Sequence, residues 1–281
     1  MNWLICVILY LIFYVIFNQT YKVATKSLTK PGSLTILLEI IASLIVLLLI
    51  PFFEMKLPQD PKIYLLLGLS IIFYTISDRL NTTVRSGIEA STFSVINQLS
   101  TVFMIVAGVL FFKELFVLNK FLGAALIVFS NVLIFFKKGK GKPNKYVVLG
   151  ILANICFSIA LFLDVNNSDN FNLPIYVATT LGFPIILIFI FERIKFSDIK
   201  EEYKNGNKKA IWITSITWSL SILAQLRAYQ LGEVSIVAPL CALSVILNVI
   251  VGYIFLKEKD NMLKKIIAAI LIILGVILIK V

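Results

Sequence analysis

The chain has 281 residues, of which 59% are hydrophobic and 15% charged, with a formal net charge of +11. Soluble proteins carry roughly 25% charged residues, so this composition, with a mean hydropathy of +0.97, excludes an ordinary globular domain and points to the bilayer. There is no histidine, and Cys6, Cys156 and Cys241 fall inside apolar stretches without a C-x-x-C pair, so neither a metal site nor a disulfide framework is expected.

Crossing the hydrocarbon core takes about 20 apolar residues in a helix. Ten such segments follow one another at 3–18, 32–52, 62–84, 90–112, 118–136, 146–164, 174–191, 210–230, 234–256 and 262–280. The apolar runs are continuous rather than alternating, which favours helices over barrel strands. The first lacks a basic start and a small-residue exit and runs on into Asn18 and Tyr21, so it reads as a mature helix. Its Tyr10, Tyr14 and Asn18 lie four apart, on one face. The second carries Glu39, seven residues after Gly32, which at about 1.5 Å per residue puts it roughly 10 Å into the bilayer. The third ends in Tyr74, Ser77, Asp78, Arg79 and Asn81, and the fourth holds Asn97 and Gln98 early. Small residues Gly123, Ala124 and Ser130 mark the fifth as a packing helix. A basic linker, 139–145, then separates residues 1–138 from 146–281. Asn154, Ser158 and Asp164 lie in the sixth span, and the charged stretch 192–209 has room for a short surface helix. The eighth span carries Trp218, Ser221, Gln225 and Arg227, the ninth Asn248, and the tenth Ala268, Ala269 and Gly275.

The two halves are copies. Glu89, Ser91, Leu99, Ser100, Gly108, Phe111, Lys113 and Glu114 return 144 positions later as Glu233, Ser235, Leu243, Ser244, Gly252, Phe255, Lys257 and Glu258. A repeat of five spans must enter the membrane in opposite senses in its two copies, a geometry that puts a substrate site between the halves. The expected fold is therefore an all-α integral membrane protein, ten transmembrane helices arranged as two inverted five-helix repeats. Of the 26 Lys and Arg residues, 20 follow odd-numbered spans. By the positive-inside rule those loops are cytoplasmic and both termini are outside. The positive charge is thus a topology signal, and no nucleic-acid partner is expected.

Polar groups inside spans normally face a bundle interior or a wet cavity. With the offset of 144 applied, Tyr74, Ser77 and Asn81 match Trp218, Ser221 and Gln225, while Asn97, Ser100 and Met104 match Cys241, Ser244 and Asn248. The candidate substrate-binding residues are accordingly Glu39, Tyr74, Asp78, Arg79, Asn81, Asn97, Trp218, Gln225, Arg227 and Asn248. Each has a structural alternative: the amides as interhelical glue, Tyr74 and Trp218 as packing aromatics, Arg79 and Arg227 as snorkelling ends, Glu39 as a structural acid. Glu39 is also the proton-coupling candidate, because a buried carboxyl that pairs with Arg79 in only one state would take up and release a proton. Lys113–Glu114 and Lys257–Glu258, at span exits, read as charges that fix loops.

These motifs resemble the drug/metabolite transporter superfamily, in its EamA-like ten-span branch. The resemblance is carried by Glu89-Ala-Ser91, the exit ending in Lys113-Glu114 and the run from Gly123 in the first copy, and by Gly232 to Ser235, Pro239, Phe255 to Glu258 and Ala268 to Gly275 in the second. The chain departs from the family in carrying Glu39 where members often have an arginine, and Val95 where its own second copy has Pro239. The resemblance implies a secondary transporter, not an enzyme, without cofactor, resident in the plasma membrane as a multi-pass protein. It implies export of a small polar or amphipathic metabolite, an amino acid or a drug; the inverted repeat adds alternating access, and Glu39 makes protons the candidate coupling ion. Relatives are described with cytoplasmic termini, opposite to the charge bias. Two other readings stand beside it: a membrane enzyme acting on lipid-linked substrates, which lacks a D-x-x-D or histidine cluster, and a component of a lipid-carrier flippase. Neither oligomeric state nor substrate identity is readable.

Overall fold

The computed structural model describes residues 2–27, 29–111, 118–119, 122–123, 125–126, 129–130, 144–258 and 262–280. Most of the expected fifth span, Lys113, Glu114 and the linker 139–143 lie outside the described residues. The helices are α1 (Trp3–Ala24), α2 (Pro31–Leu47), α3 (Pro61–Gly87), α4 (Ala90–Ile96), α5 (Leu99–Leu110), α6 (Lys145–Asn167), α7 (Leu173–Phe191), α8 (Phe196–Asn205), α9 (Lys208–Leu231), α10 (Val234–Ala242), α11 (Ser244–Phe255) and α12 (Met262–Lys280). No strand occurs among the described residues.

Local chemistry fixes where these helices start. Asn2, Asp60, Asn144, Asn172 and Asn207 each cap a helix, their side-chain oxygens accepting first-turn N–H groups at 2.9–3.2 Å. Pro31 and Pro61 stand at the first helical position, where no N–H is needed. The long charged stretch does fold into a surface helix, α8.

Two expected spans are not continuous. The fourth is α4 and α5, separated at Asn97–Gln98, and the ninth is α10 and α11, separated at Leu243. At the first break the backbone tightens to three-residue spacing, with Gln98 N–H donating to Val95 O and Thr101 N–H to Gln98 O, both at 3.0 Å. The carbonyl of Asn97 is taken up by Ser100 Oγ at 2.7 Å and Asn154 Nδ2 at 3.2 Å. A backbone break at membrane depth is tolerated where side chains satisfy it in this way. At the second break Pro239 removes an N–H donor four residues ahead.

Six units among the described residues are long and apolar enough to cross a membrane: Trp3–Ala24, Pro61–Gly87, Ala90–Leu110, Lys145–Asn170, Leu173–Phe191 and Val234–Phe255. Pro31–Leu47 is apolar but shorter than the expected 32–52, because the chain leaves α2 into a short 3-10 turn, Ile50–Phe52. α9 has 24 residues yet is too polar for that class, since Thr214, Ser215, Thr217, Ser219 and Ser221 are all buried along it. Of the ten expected, six spans are thus clear among the described residues, and most of the fifth lies outside them.

The packing repeats as the sequence does. α1 lies along α9, and α3 lies along α6. Shifted by one repeat, α1 becomes α6 and α9 becomes α3, so the two pairings are one contact made twice. α2 packs on its own repeat partner, α7; α4 lies against α11 and α5 against α10. The main apolar core runs along this seam and includes Cys6, Leu38, Tyr176, Ile211 and Val237. Outward, α1 shows Leu4, Ile5, Ile8, Ile12 and Ile16, while its Tyr10, Tyr14 and Asn18 are buried. Apolar side chains face lipid and polar ones face the bundle, the inverse of a soluble helix.

Candidate functional site

The seam opens into a narrow cleft between the halves. Its largest lobe, about 50 Å³, is walled by Tyr14, Asp78, Asn81, Arg85 and Asn97 from the first half and Phe157, Trp218 and Gln225 from the second. A second lobe, about 30 Å³, runs past Tyr74 and Thr180, and a third, about 10 Å³, past Gln98 and Tyr229. Phe157 and Gln225 border all three. A water needs roughly 10–15 Å³ measured this way, so the cleft has room for a few waters and not for a metabolite.

Two helices build most of it. Positions 74, 78 and 81 of α3 and their repeat partners 218, 222 and 225 of α9 all line the lobes. The three- and four-residue spacing keeps each set on one helix face. Tyr74 donates to Asp164 Oδ2 at 2.8 Å, and Tyr176 donates to Asp164 Oδ1 at 2.8 Å, so a buried carboxylate fixes both phenols. Asn97 donates to Tyr14 Oη at 2.7 Å and accepts from Asn154 Nδ2 at 2.7 Å. Trp218 stacks on Phe17 with ring centroids 5.7 Å apart. Asn81 donates to Ser77 Oγ at 3.3 Å. Asp78 is 7% exposed, facing the cleft.

Four expected site residues sit elsewhere. Arg79 turns away from Glu39 and bonds Glu192 and Thr83 at the end of the bundle, so the Glu39–Arg79 pair is not formed. Glu192 fits there because Gly32 has no side chain; a Cβ on it would lie 2.2 Å from Glu192 Oε2. Glu39 is fully buried in α2 with both carboxyl oxygens unpartnered. Asn248 is interhelical glue: its Oδ1 accepts from Asn18 Nδ2 at 2.9 Å and Gln19 Nε2 at 3.0 Å, and its Nδ2 donates to Ser244 O at 2.9 Å. Arg227 donates to Gln230 at 2.9 Å and lines a separate recess of about 350 Å³ with Lys56, Asp169 and Phe171.

Tyr14, Phe157 and Arg85 line the cleft without belonging to the sequence-derived set, and Asp164, outside the lining, anchors Tyr74. Arg85, 3% exposed, lies seven residues after Asp78 and four after Asn81, hence on their face of α3, a spacing that could have identified it.

The end of the bundle carrying the basic loops is closed by ion pairs and caps. Besides Arg79–Glu192, Lys30 pairs with Asp198 at 2.8 Å, Glu202 accepts from Thr29 N–H at 3.0 Å, and Lys265 bonds Glu89. The hydrogen bond from Lys30, aided by the Lys195 N–H, holds the Asp198 carboxyl below its ordinary value of 3.8. Among the described residues no group of three or more His, Cys, Asp or Glu could hold a metal. What the cleft offers is a carboxylate, a guanidinium, amides and aromatic walls, the chemistry of an amphipathic ligand bearing charge.

A family model described as "EamA-like transporter family" matches residues 1–136 and again 144–281. No curated protein matches the chain by sequence. A solved structure titled "Crystal structure of protein" is 15% identical, with a TM-score of 0.61 over 98% of each chain, a likeness of fold alone.

Proposed function

Because the chain belongs to the EamA-like transporter family, we propose that it is a secondary transporter exporting a small polar or amphipathic metabolite, an amino acid or a drug, across the plasma membrane. The observation that carries this is the cleft between the repeats, lined at equivalent positions of α3 and α9 and too small to hold a metabolite as it stands. A site between inverted repeats that must open to admit its ligand is the geometry of alternating access. The ion pairs at the end carrying α8, set against the roughly 350 Å³ recess at the other, support a state sealed on one side.

In this reading the substrate meets Tyr74, Asp78, Asn81, Asn97, Trp218 and Gln225, and ten spans cross the bilayer as two inverted sets of five, divided at 139–145. The end carrying α8 is cytoplasmic and both termini are outside, as the charge bias requires. Glu39 couples the cycle to protons through Asp78, not through Arg79.

Proteoliposomes loaded with a panel of labelled amino acids and amphipathic drugs test the proposal. Flux of at least one member, saturable and lost in empty liposomes, is expected; no flux of any member by folded protein rejects it. Lys200→Cys, on α8, should be labelled by an impermeant maleimide only after cells are opened. Labelling of intact cells would invert the topology.

A further inference from the structure

We propose that Arg85 is the anion-recognition residue of the cleft and selects ligands that carry a single carboxylate on an apolar body. The inference rests on the transport reading and deepens it.

Arg85 is almost fully buried, and its guanidinium carbon lies 3.8 Å from the ring centroid of Phe93, 4.6 Å from Tyr21 and 5.0 Å from Phe17. Its Nη1 donates to the side-chain oxygen of Asn18, and more weakly to Asn18 O at 3.5 Å, whereas Nε is buried without an acceptor. Aromatic faces attract a cation but accept no strong hydrogen bond. A guanidinium has five N–H donors in a fixed fork, so this one is held in place and left under-satisfied. Its nearest acid along the face is Asp78, two helical turns back, about 10 Å at 1.5 Å per residue. No described carboxylate pairs with it directly, and it lines the cleft. The group that satisfies such a fork bidentately is a planar carboxylate. The rings around the guanidinium give that carboxylate an apolar neighbour, and Asp78, on the same face of α3, disfavours a dianion such as a phosphate monoester. A purely structural Arg85, tying α1, α3 and α4, would show no preference among ligands.

The test uses purified full-length protein in which Trp3→Phe and Trp212→Phe leave Trp218, in the cleft, as the fluorescent reporter. Phenylalanine, leucine and 3-phenylpropanoate are titrated against their primary amides. Each acid is expected to bind about tenfold or more tightly than its amide, the worth of a charge-assisted hydrogen bond. Arg85→Lys should shrink that ratio, and Arg85→Met should bring it to about one. Equal binding of acids and amides to the wild-type chain, or a preference that survives in folded Arg85→Met, overturns the anion site and leaves the transport reading standing. Binding of neither acids nor amides overturns the anion site, while the flux panel decides the transport reading separately. If Arg85→Met does not fold, the wild-type ratio and Arg85→Lys decide.

Discussion

Glu258 of the second half closes the first turn of α4 in the first half: its Oε1 accepts the Ala90 N–H at 2.7 Å. The other oxygen accepts Ser91 N–H at 3.1 Å and the Ser91 hydroxyl, and Lys265 stands 3.9 Å away. The first N–H groups of a helix have no partner within it, and the dipole there favours an anion. One carboxylate thus joins the repeats at a place where α4 is only seven residues long. Charge-assisted hydrogen bonds contribute about 1.5–3 kcal/mol each. Glu258→Gln should therefore lower stability by about 2 kcal/mol, and Ser91→Ala by about 1 kcal/mol. Thermal unfolding in detergent reads both, and an unchanged Tm in Glu258→Gln contradicts the cap.

Asp164 makes the complementary bond on the other side of the cleft, where it holds Tyr74 and Tyr176. Removing one phenol from a buried carboxylate that keeps another donor costs about 1–2 kcal/mol, whereas removing the carboxylate leaves two phenols unsatisfied and costs more. Tyr176→Phe should be milder than Asp164→Ala in a melt. Tyr74→Phe should also alter substrate affinity, because Tyr74 alone of the two lines the cleft. Identical affinity in Tyr74→Phe and Tyr176→Phe counts against that assignment.

Much of this was legible in advance, and the residues show why the rest was not. The buried face of α1 follows from the four-residue spacing of Tyr10, Tyr14 and Asn18, and the cleft walls follow from carrying Tyr74 and Asn81 to Trp218 and Gln225 by one offset. From the sequence, Arg79 is taken and Arg85 passed over, since both lie near the end of α3 and only the rotation of that helix decides which faces inward. Counting from Asp78 selects Arg85. Asn248 reads as a ligand because its partners, Asn18 and Gln19, come from a helix some 230 positions away. Pro239 hints at the break in the ninth span, but Val95 gives no such hint in the fourth, where the side chains of Ser100 and Asn154 satisfy the backbone.

At the membrane surface, Lys30 and Asp198 tie the start of α2 to α8. The carboxyl is held below 3.8, chiefly by the Lys30 hydrogen bond. A depressed carboxyl contributes stability above its unfolded value and loses it as pH falls through the folded one. The link is therefore intact at neutral pH and lost only in acid below 3.8. In carbon-detected NMR of the micellar protein, Asp198 should titrate below 3.8, and in Lys30→Met its midpoint should rise toward that value. A midpoint unmoved by Lys30→Met removes the lysine as its cause.

Glu39 supplies the most consequential test. It is buried in α2 and neither oxygen has a partner, while Asp78 lies in the cleft. In the proposed cycle the two carboxyls share one exchangeable proton, so that what happens to one changes the proton held by the other. A cationic group of a substrate arriving at Asp78 competes with the proton that the pair would otherwise share. Occupancy by substrate and by proton then alternate, which is the requirement for exchange of one against the other. An amide keeps the shape of Glu39 but has no proton to release. Glu39→Gln should therefore still catalyse exchange of labelled for unlabelled substrate, while accumulation driven by a pH gradient disappears. With one proton per cycle, one pH unit, about 1.4 kcal/mol, supports about tenfold accumulation, so the variant should fall from about tenfold to about onefold under the same gradient. Uphill transport at the wild-type level by Glu39→Gln eliminates the coupling role. Aggregation of Glu39→Gln, with Glu39→Asp folded and active, would instead make Glu39 a structural acid of α2.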